Sequence, residues 1–211
     1  MNEQLFKQLT QAKQASRHMM TMNTQSKNQA LIKIAQALKD RVLEIINENQ
    51  KDIEHAKASG MSDAMVDRLL LNEDRIVAMA DDVLKLVSLD DPVGDIIREI
   101  KRPNGLLIKQ VRVPIGIFGI IYESRPNVTV DIACLCIKSG NVCVLKGGKE
   151  AIHSNRILTK LMREAIKETL PVDCVQLIDY GGREMVDELI HAYGYVDVVV
   201  PRGGAGLIQH V

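Results

Sequence analysis

Roughly the first ninety residues have the hydrophobic spacing of helices. Apolar side chains recur three or four residues apart, which places them in one stripe along a helical surface. The stripe comprises Leu31, Ile34, Ala35, Leu38, Val42, Ile45 and Ile46. A polar, glycine-containing break at 57–62 ends this helical run. We interpret the region as a scaffold and not as a functional site.

A second helix is predicted after this break. Asn72 is a suitable N-cap residue, and the acids Glu73 and Asp74 suit the first turn of a helix. The apolar face of this helix comprises Ile76, Met79, Val83, Leu84 and Val87. The Asp-Pro-Val-Gly segment at 91–94 predicts the end of this helix.

The segment 98–113 has the pattern of a β-hairpin. Two β-like runs flank Pro103-Asn104-Gly105, and an Asn-Gly pair supplies the positive φ angles of a tight hairpin turn. In the second run, Leu107, Val111 and Val113 alternate with Ile108, Gln110 and Arg112, so the strand can present one apolar face. One edge of such a hairpin stays open, and open edges commonly pair with another strand or subunit.

Four apolar runs of strand length follow the hairpin, at 117–122, 142–146, 175–178 and 196–200. Helix-sized segments separate them, which favours a parallel sheet with right-handed crossovers. The block 113–155 has the order of a βαβ nucleotide-binding unit. We therefore predict an α/β fold, with a Rossmann-type parallel sheet flanked by helices, an N-terminal helical layer and a protruding hairpin. The loops 122–127 and 146–150 are candidate site loops, because ligands bind at the carboxyl ends of parallel strands.

Three of these strands run into paired glycines: Gly147-Gly148, Gly181-Gly182 and Gly203-Gly204. A single pair is explained by glycine ending a strand and letting the chain turn. Three pairs at one edge of a sheet favour a phosphate-binding role, since backbone without Cβ approaches a pyrophosphate closely and helix N-termini offer it free N–H groups.

Composition restricts the classes of partner. The chain has 27 basic and 27 acidic residues and no basic run interleaved with aromatics, so a nucleic-acid partner is not expected. The uncharged run 113–122 is far shorter than the roughly 20 residues of a membrane span. The N-terminal residues include an acid and no apolar core, so we expect no signal peptide. We expect no membrane partner, a cytoplasmic location and a small-molecule ligand.

The cysteines and histidines give no metal site. None of the four cysteines belongs to a CxxC pair, and we expect all of them to be buried apolar packing residues. The five histidines lack the spacing of metal ligands. His153 lies at a predicted helix start, where a packing or capping role competes with a role in the site.

Two nucleotide-binding motifs are excluded. A Walker-type loop requires glycine at Cys143 and a hydroxyl residue at Glu150. No GxGxxG follows the first predicted parallel strand, so the fingerprint of ordinary Rossmann dehydrogenases is missing.

Four runs carry a resemblance to a known family: YESRPNVTVD, IKSGN, LKGGKEAIHSN and VPRGGAGL. They resemble the N-terminal half of the gamma-glutamyl phosphate reductases, also called glutamate-5-semialdehyde dehydrogenases, within the aldehyde dehydrogenase superfamily. The resemblance implies NADPH-dependent reduction of L-glutamyl 5-phosphate to glutamate 5-semialdehyde and phosphate, in proline biosynthesis. A non-catalytic nucleotide-binding or subunit-assembly module of the same fold is the alternative.

The resemblance implies roles for the turn after the first parallel strand. Ser124, Arg125 and Asn127 fall where the superfamily places an amide that stabilises the oxyanion. We expect Arg125 to contact phosphate or the oxyanion and Asn127 to supply the amide, while Glu123 is a further candidate for orienting Arg125 or the substrate amino group. Alternatively, Asn127 caps the helix that begins beside it.

NADP(H) is the cofactor that the resemblance implies. Lys146 matches the superfamily lysine that reaches the adenosine ribose, and a cation there with Lys149 nearby suits a 2′-phosphate. Alternatively, Lys146 extends into water at the end of its strand. The expected cofactor contacts are Lys146, Gly147, Gly148, Lys149, Arg202, Gly203 and Gly204.

The expected organisation is one NADP-binding domain over 1–211. It contains a helical layer at 1–95, an oligomerisation hairpin at 98–113 and the βαβ sheet at 114–211, and the hairpin would join copies of the full-length protein. None of Cys134, Cys136, Cys143 and Cys174 matches the nucleophilic cysteine of the family. We therefore expect this sequence to be part of a longer enzyme, without its catalytic-cysteine domain and inactive alone.

Overall fold

A computed structural model describes all 211 residues. Five helices precede the first strand: α1 (Glu3–Met19), α2 (Thr24–Asp40), α3 (Val42–Ala58), α4 (Asp63–Leu69) and α5 (Glu73–Ser88). The predicted apolar stripe is divided between α2 and α3, because the chain turns at Arg41 (φ −114°, ψ 24°). Its members are nevertheless buried or half-buried, so the helical layer predicted from the spacing is present.

Asparagine side chains begin three of these helices. Asn2, Asn23 and Asn72 each accept a backbone N–H bond from the first turn of α1, α2 and α5, respectively. Such a cap stabilises a helix by about 1 kcal/mol. The predicted start of α5 at Asn72 is therefore confirmed.

The hairpin consists of β1 (Ile96–Lys101) and β2 (Leu107–Val111), paired antiparallel. Its turn differs from the expected one: Gly105 has φ +87°, whereas Asn104 does not have a positive φ. The Gly105 N–H donates to the Arg102 carbonyl at 2.9 Å, and Pro103 suits the second position of a type I turn closed by a left-handed glycine. Every residue of β2 is exposed, so the hairpin protrudes from the rest of the chain.

The sheet consists of β3 (Ile117–Tyr122), β4 (Val142–Gly147), β5 (Val175–Leu177) and β6 (Val198–Arg202). All pairs are parallel and the strand order is β5-β4-β3-β6. The crossover helices are α6 (Asn127–Lys138), α7 (Ile152–Ile166) and α8 (Arg183–Ile190), and α9 (Ala205–His210) follows β6. The predicted parallel α/β sheet is therefore confirmed, and the three glycine pairs lie at one edge of it. β6 starts two residues later than predicted. Asp197, directly before it, donates its N–H to the Ile117 carbonyl at 2.9 Å, but the Ile117 N–H is accepted by the Asp197 side chain, at 2.8 Å, and not by a backbone carbonyl of the predicted strand.

The two faces of the sheet are covered by different helices. Tyr122 of β3 makes a 2.7 Å hydrogen bond to Thr129 of α6. Gly119, three positions earlier on the same strand, faces the opposite side of the sheet, where a Cβ would lie 3.3 Å from Leu189 of α8. A single cluster of 42 buried apolar residues extends from α1, α2 and α5 into the sheet, so the helical layer and the sheet share one core.

The four cysteines lie in this core with free thiols, as the sequence predicted. Burial raises the pKa of Cys174 to about 12 and raises the pKa of Cys134 further. Neither thiol is in the thiolate form that acts as a nucleophile at neutral pH.

Asn49 of α3 connects three parts of the fold. Its side-chain amide donates to the Leu69 carbonyl at 2.8 Å and to Ser154 Oγ at 3.0 Å, and its oxygen accepts the Leu71 N–H at 2.8 Å. Asp52, one turn later, accepts the Ser154 N–H and hydroxyl at 2.8 and 2.6 Å. These buried bonds fix the start of α7 and the α4–α5 connection relative to α3.

We expect Asn49→Leu to lower the free energy of unfolding by about 3 kcal/mol, because it leaves the buried Leu69 carbonyl and Leu71 N–H unpaired. Chemical denaturation monitored by circular dichroism measures this change. Asn47→Leu is the matched control, since Asn47 is exposed on the same helix. Equal stability of the two variants would contradict the role assigned to Asn49.

Candidate functional site

A cavity of about 580 Å³ opens at the carboxyl ends of β3, β4 and β5. We call it the Lys146 cavity. Three cationic side chains line it: Lys146, Lys149 and Arg183. Gly147, Gly148, Gly181 and Gly182 form further parts of its wall. The structure therefore brings together four of the predicted cofactor residues and two of the three glycine pairs.

Lys146 is a buried cation with little compensation. The residue is 8% exposed, and its ammonium has one hydrogen bond, a long one of 3.5 Å to the Tyr180 carbonyl. No carboxylate lies within ion-pair distance. Burial lowers the pKa of Lys146, and the more distant charges of Glu184, Asp179 and Glu150 offset part of that effect. An anion bound in the cavity would supply the missing partner.

Arg183 is a cavity residue that the sequence reasoning missed. It follows Gly181-Gly182 at the start of α8 and, like the exposed Lys149, forms no ion pair. The sequence contains a signal for this residue, because Arg183 is the cation that directly follows the glycine pair after β5. Met61, Met65 and Val186 add an apolar wall to the same cavity.

Gly147 is required by packing beneath the cavity. A Cβ at this position would lie 2.3 Å from Asn155 Nδ2 and 3.0 Å from Tyr122 Cζ. These neighbours are fixed by a buried chain of hydrogen bonds, in which the Tyr122 hydroxyl pairs with Thr129 at 2.7 Å and Thr129 donates to Asn155 at 2.9 Å. The loop at 147–148 is therefore held close to the end of β3.

Ser124 is held by Glu150 and has a strained backbone. Its φ of +42° is the one positive φ among the non-glycine residues of the chain. Both its N–H and its hydroxyl donate to Glu150 Oε1, at 2.7 and 2.8 Å. These bonds stabilise a conformation that costs about 1 kcal/mol or more. Ser124 lines the Lys146 cavity, but both of its donors are already engaged.

Arg125 and Asn127 lie in a different cavity, of about 340 Å³. We call it the Arg125 cavity; Arg68, Arg75 and Asp131 also line it. Asn127 is the first residue of α6, and its amide donates to Asp131 Oδ2 at 2.9 Å. It makes no capping bond, so the alternative of a helix cap is not observed. The turn 122–127 separates the two cavities.

Arg202, Gly203 and Gly204 line neither of these cavities. The Gly204 N–H donates to Glu123 Oε2 at 3.0 Å, and a Cβ at Gly203 would lie 2.5 Å from the same oxygen. A bound pyrophosphate would therefore have to replace the Glu123 carboxylate there. Arg202 is paired with Tyr122, one residue beyond Ile121, which pairs with Lys146. Since successive strand residues face opposite sides, Arg202 and Lys146 lie on opposite faces of the sheet.

His153 lies outside both cavities, where its N–H donates to Asp52 Oδ1 at 3.1 Å. This contact is a capping arrangement at the start of α7. No group of three or more His, Cys, Asp or Glu side chains is arranged to bind a metal ion. None of the helices has the length and apolar character that crossing a bilayer requires.

Comparisons with known proteins identify relatives of the chain. The model of the aldehyde dehydrogenase family matches residues 2–210. The gamma-glutamyl phosphate reductase of Carboxydothermus hydrogenoformans is 51% identical over 201 residues, which are 95% of this chain and 48% of that protein. The crystal structure of the gamma-glutamyl phosphate reductase from Thermotoga maritima matches with a TM-score of 0.96 and 42% identity, over 98% of this chain and 50% of that one. The corresponding structure from Saccharomyces cerevisiae has a TM-score of 0.89 at 34% identity, over 97% and 52%.

These matches confirm the fold and the resemblance predicted from the four sequence runs. The chain spans about half the length of the curated relatives that it matches. Helical layer, hairpin and sheet all fall within the matched residues. The chain belongs to the aldehyde dehydrogenase family.

Proposed function

We propose that this chain forms the NADP(H)-binding part of a gamma-glutamyl phosphate reductase. The reaction converts L-glutamyl 5-phosphate, NADPH and a proton into glutamate 5-semialdehyde, phosphate and NADP⁺, a step of proline biosynthesis. The observation that carries the proposal is the buried, poorly compensated Lys146 ammonium in a glycine-walled cavity. The similarity to reductases of that name over nearly the whole chain supports it.

The charges of the Lys146 cavity favour NADP(H) over NAD(H). Lys146, Lys149 and Arg183 line it without forming an ion pair, and three cations suit a 2′-phosphate. NAD selectivity ordinarily uses a free carboxylate on the ribose 2′-hydroxyl. The two carboxylates that line the cavity are already engaged by protein donors, since Glu150 Oε1 accepts two bonds from Ser124 and Glu123 Oε2 accepts the Gly204 N–H. The apolar side chains of Met61, Met65 and Val186 supply a surface suited to the adenine ring.

The residues of the turn 122–127 would act on the substrate. Arg125 has no ion-pair partner, so its guanidinium is available to bind the acyl phosphate in bidentate fashion. Asn127 holds its amide at the same cavity and would donate to the developing oxyanion, a contribution of about 3 kcal/mol in comparable sites. When bound, NADPH supplies the hydride. The nucleophilic thiolate is not among the four buried cysteines and would come from outside these residues.

A second candidate function is a non-catalytic nucleotide-binding module. The burial of all four thiols favours it, since no residue described here provides a nucleophilic cysteine. Nucleotide binding without redox chemistry would use the same Lys146 cavity.

We further propose a cytoplasmic location and self-association through the hairpin. Ile96, Ile97 and Leu107 are each about half exposed on β1 and β2. An exposed apolar strand pair with an open edge is suited to pairing with another copy.

We expect Lys146→Met to weaken NADPH binding at least about tenfold, because it removes a charge-assisted contact. The variant should also be more thermally stable than the unmodified chain at neutral pH, since it removes a buried cation whose pKa is lowered. This cost is fully present below the lowered folded-state pKa of Lys146 and vanishes above the ordinary lysine value of about 10.4. The stability gain should therefore disappear at high pH.

Isothermal titration calorimetry with NADPH and thermal melts between neutral and alkaline pH measure the two effects. Lys167→Met, which replaces an exposed lysine just after the end of α7, is the matched control. Unchanged NADPH affinity in Lys146→Met would refute the cofactor assignment.

We expect the 211-residue chain to show no semialdehyde-dependent reduction of NADP⁺ in the presence of phosphate, because all four of its thiols are buried and none is accessible to a substrate. Absorbance at the NADPH band follows the reaction, and the full-length reductase of Carboxydothermus hydrogenoformans is the positive control. Measurable turnover by the chain alone would contradict the assignment of the nucleophile to a residue outside it.

A further inference from the structure

The Arg125 cavity has its own pattern of charges. It is bordered by the end of α4, one face of α5 and the start of α6, and its volume of about 340 Å³ is enough for a ligand of amino-acid size. Three arginines and three aspartates line it: Arg68, Arg75, Arg125, Asp67, Asp82 and Asp131. The formal charges of these six side chains cancel, so the charges available to a ligand are those that have no partner within the protein.

Three of the six charged groups have partners. Arg75 forms an ion pair with Asp67 at 2.8 Å and also donates to the Leu70 carbonyl at 3.0 Å. Asp82 pairs with Lys85 at 2.7 Å. Arg68 and Arg125, by contrast, form neither an ion pair nor a side-chain hydrogen bond. The cavity therefore contains two guanidinium groups that are free to bind anions.

Asp131 is the one unpaired acid. It is half-buried, and its carboxylate accepts one hydrogen bond, from the Asn127 amide. Burial raises the pKa of Asp131; the Asn127 hydrogen bond and the charge of Arg202 offset part of that effect, while Asp82 adds to it. No cation lies within ion-pair distance, so a ligand ammonium would relieve the cost of ionising this group.

We propose that the Arg125 cavity recognises the α-amino-acid end of the substrate, with Arg68 binding the α-carboxylate and Asp131 binding the α-ammonium. This proposal rests on the proposed function. L-Glutamyl 5-phosphate carries two anionic groups and one cationic group, and the cavity offers two unpaired cations and one unpaired anion. Arg125 lies in the turn between the two cavities and remains available for the phosphate end. Recognition of both groups would distinguish the substrate from other acyl phosphates.

Three closely related small molecules test these contacts on the unmodified chain. L-Glutamate carries both α-groups, glutarate lacks the ammonium, and 4-aminobutyrate lacks the α-carboxylate. Titration followed by NMR should give millimolar binding of L-glutamate and at least about tenfold weaker binding of the other two. The absence of saturable L-glutamate binding up to about 100 mM, or equal binding of all three, would overturn the proposal.

Two variants assign the contacts. Asp131→Asn should remove the preference for L-glutamate over glutarate, and Arg68→Gln should remove the preference over 4-aminobutyrate. Asp90→Asn and Arg17→Gln are the matched controls, since both residues are exposed and lie outside the cavity. A variant that weakens all three probes equally would show a general effect on the fold and would contradict a direct contact.

NADPH titration separates this proposal from the proposed function. Both variants should bind NADPH as the unmodified chain does, because Lys146 lies in the other cavity. If NADPH binding depends on Lys146 while L-glutamate binding is independent of Arg68 and Asp131, the inference fails alone. If L-glutamate binding depends on both residues while NADPH does not bind, the cofactor assignment fails instead.

Discussion

The parallel register of β3 with β4 and β6 decides which charged side chains meet at the sheet edge. Ile121 pairs with Lys146 and Pro201, and Tyr122 pairs with Gly147 and Arg202. A slip of one residue would exchange the faces of Lys146 and Gly147. The Lys146 side chain would then enter the space that Gly147 now leaves and collide with Asn155 and Tyr122, since there is no room there for even a Cβ. The tight packing at Gly147 thus favours the register that places Lys146 in its cavity.

The bond between Ser124 and Glu150 connects the two loops that follow β3 and β4. It also changes the electrostatics of the Lys146 cavity, because Glu150 is engaged by an N–H and a hydroxyl, and Glu123 by the Gly204 N–H. Each of the two acids that line this cavity thus accepts hydrogen bonds from protein donors, whereas none of its three cations forms an ion pair. The strained turn that results is the wall between the cofactor side and the substrate side that we propose.

The sequence predicted most of the architecture and part of the site. Hydrophobic spacing predicted the helical layer, and the strand β3 was predicted at its observed limits, because both signals are local. The left-handed residue of the hairpin was assigned partly wrongly, since Asn-Gly is compatible with more than one turn type and here Gly105 alone has a positive φ. The division into two cavities was not predictable from the motifs, because Ser124 and Arg125 are neighbours in the chain yet face different cavities. The combination of Asp131 with Arg68 was missed for a related reason, since Asp131 ends the run YESRPNVTVD whereas Arg68 lies far earlier in the chain, outside every recognised run.

Comparison with other buried lysines supports a ligand-binding role for Lys146. Lys27 is fully buried and forms an ion pair with Asp91, and Lys138 donates to Asn28 Oδ1 at 2.7 Å and to the Val87 carbonyl at 3.1 Å. Both pairings join the helical layer to neighbouring segments, so a structural role accounts for these cations. Lys146 is buried to a similar degree, but its single hydrogen bond is 3.5 Å long. Because a buried charge without a partner destabilises the folded state, its placement beside an open, glycine-walled cavity is best explained by an anionic ligand that completes its environment.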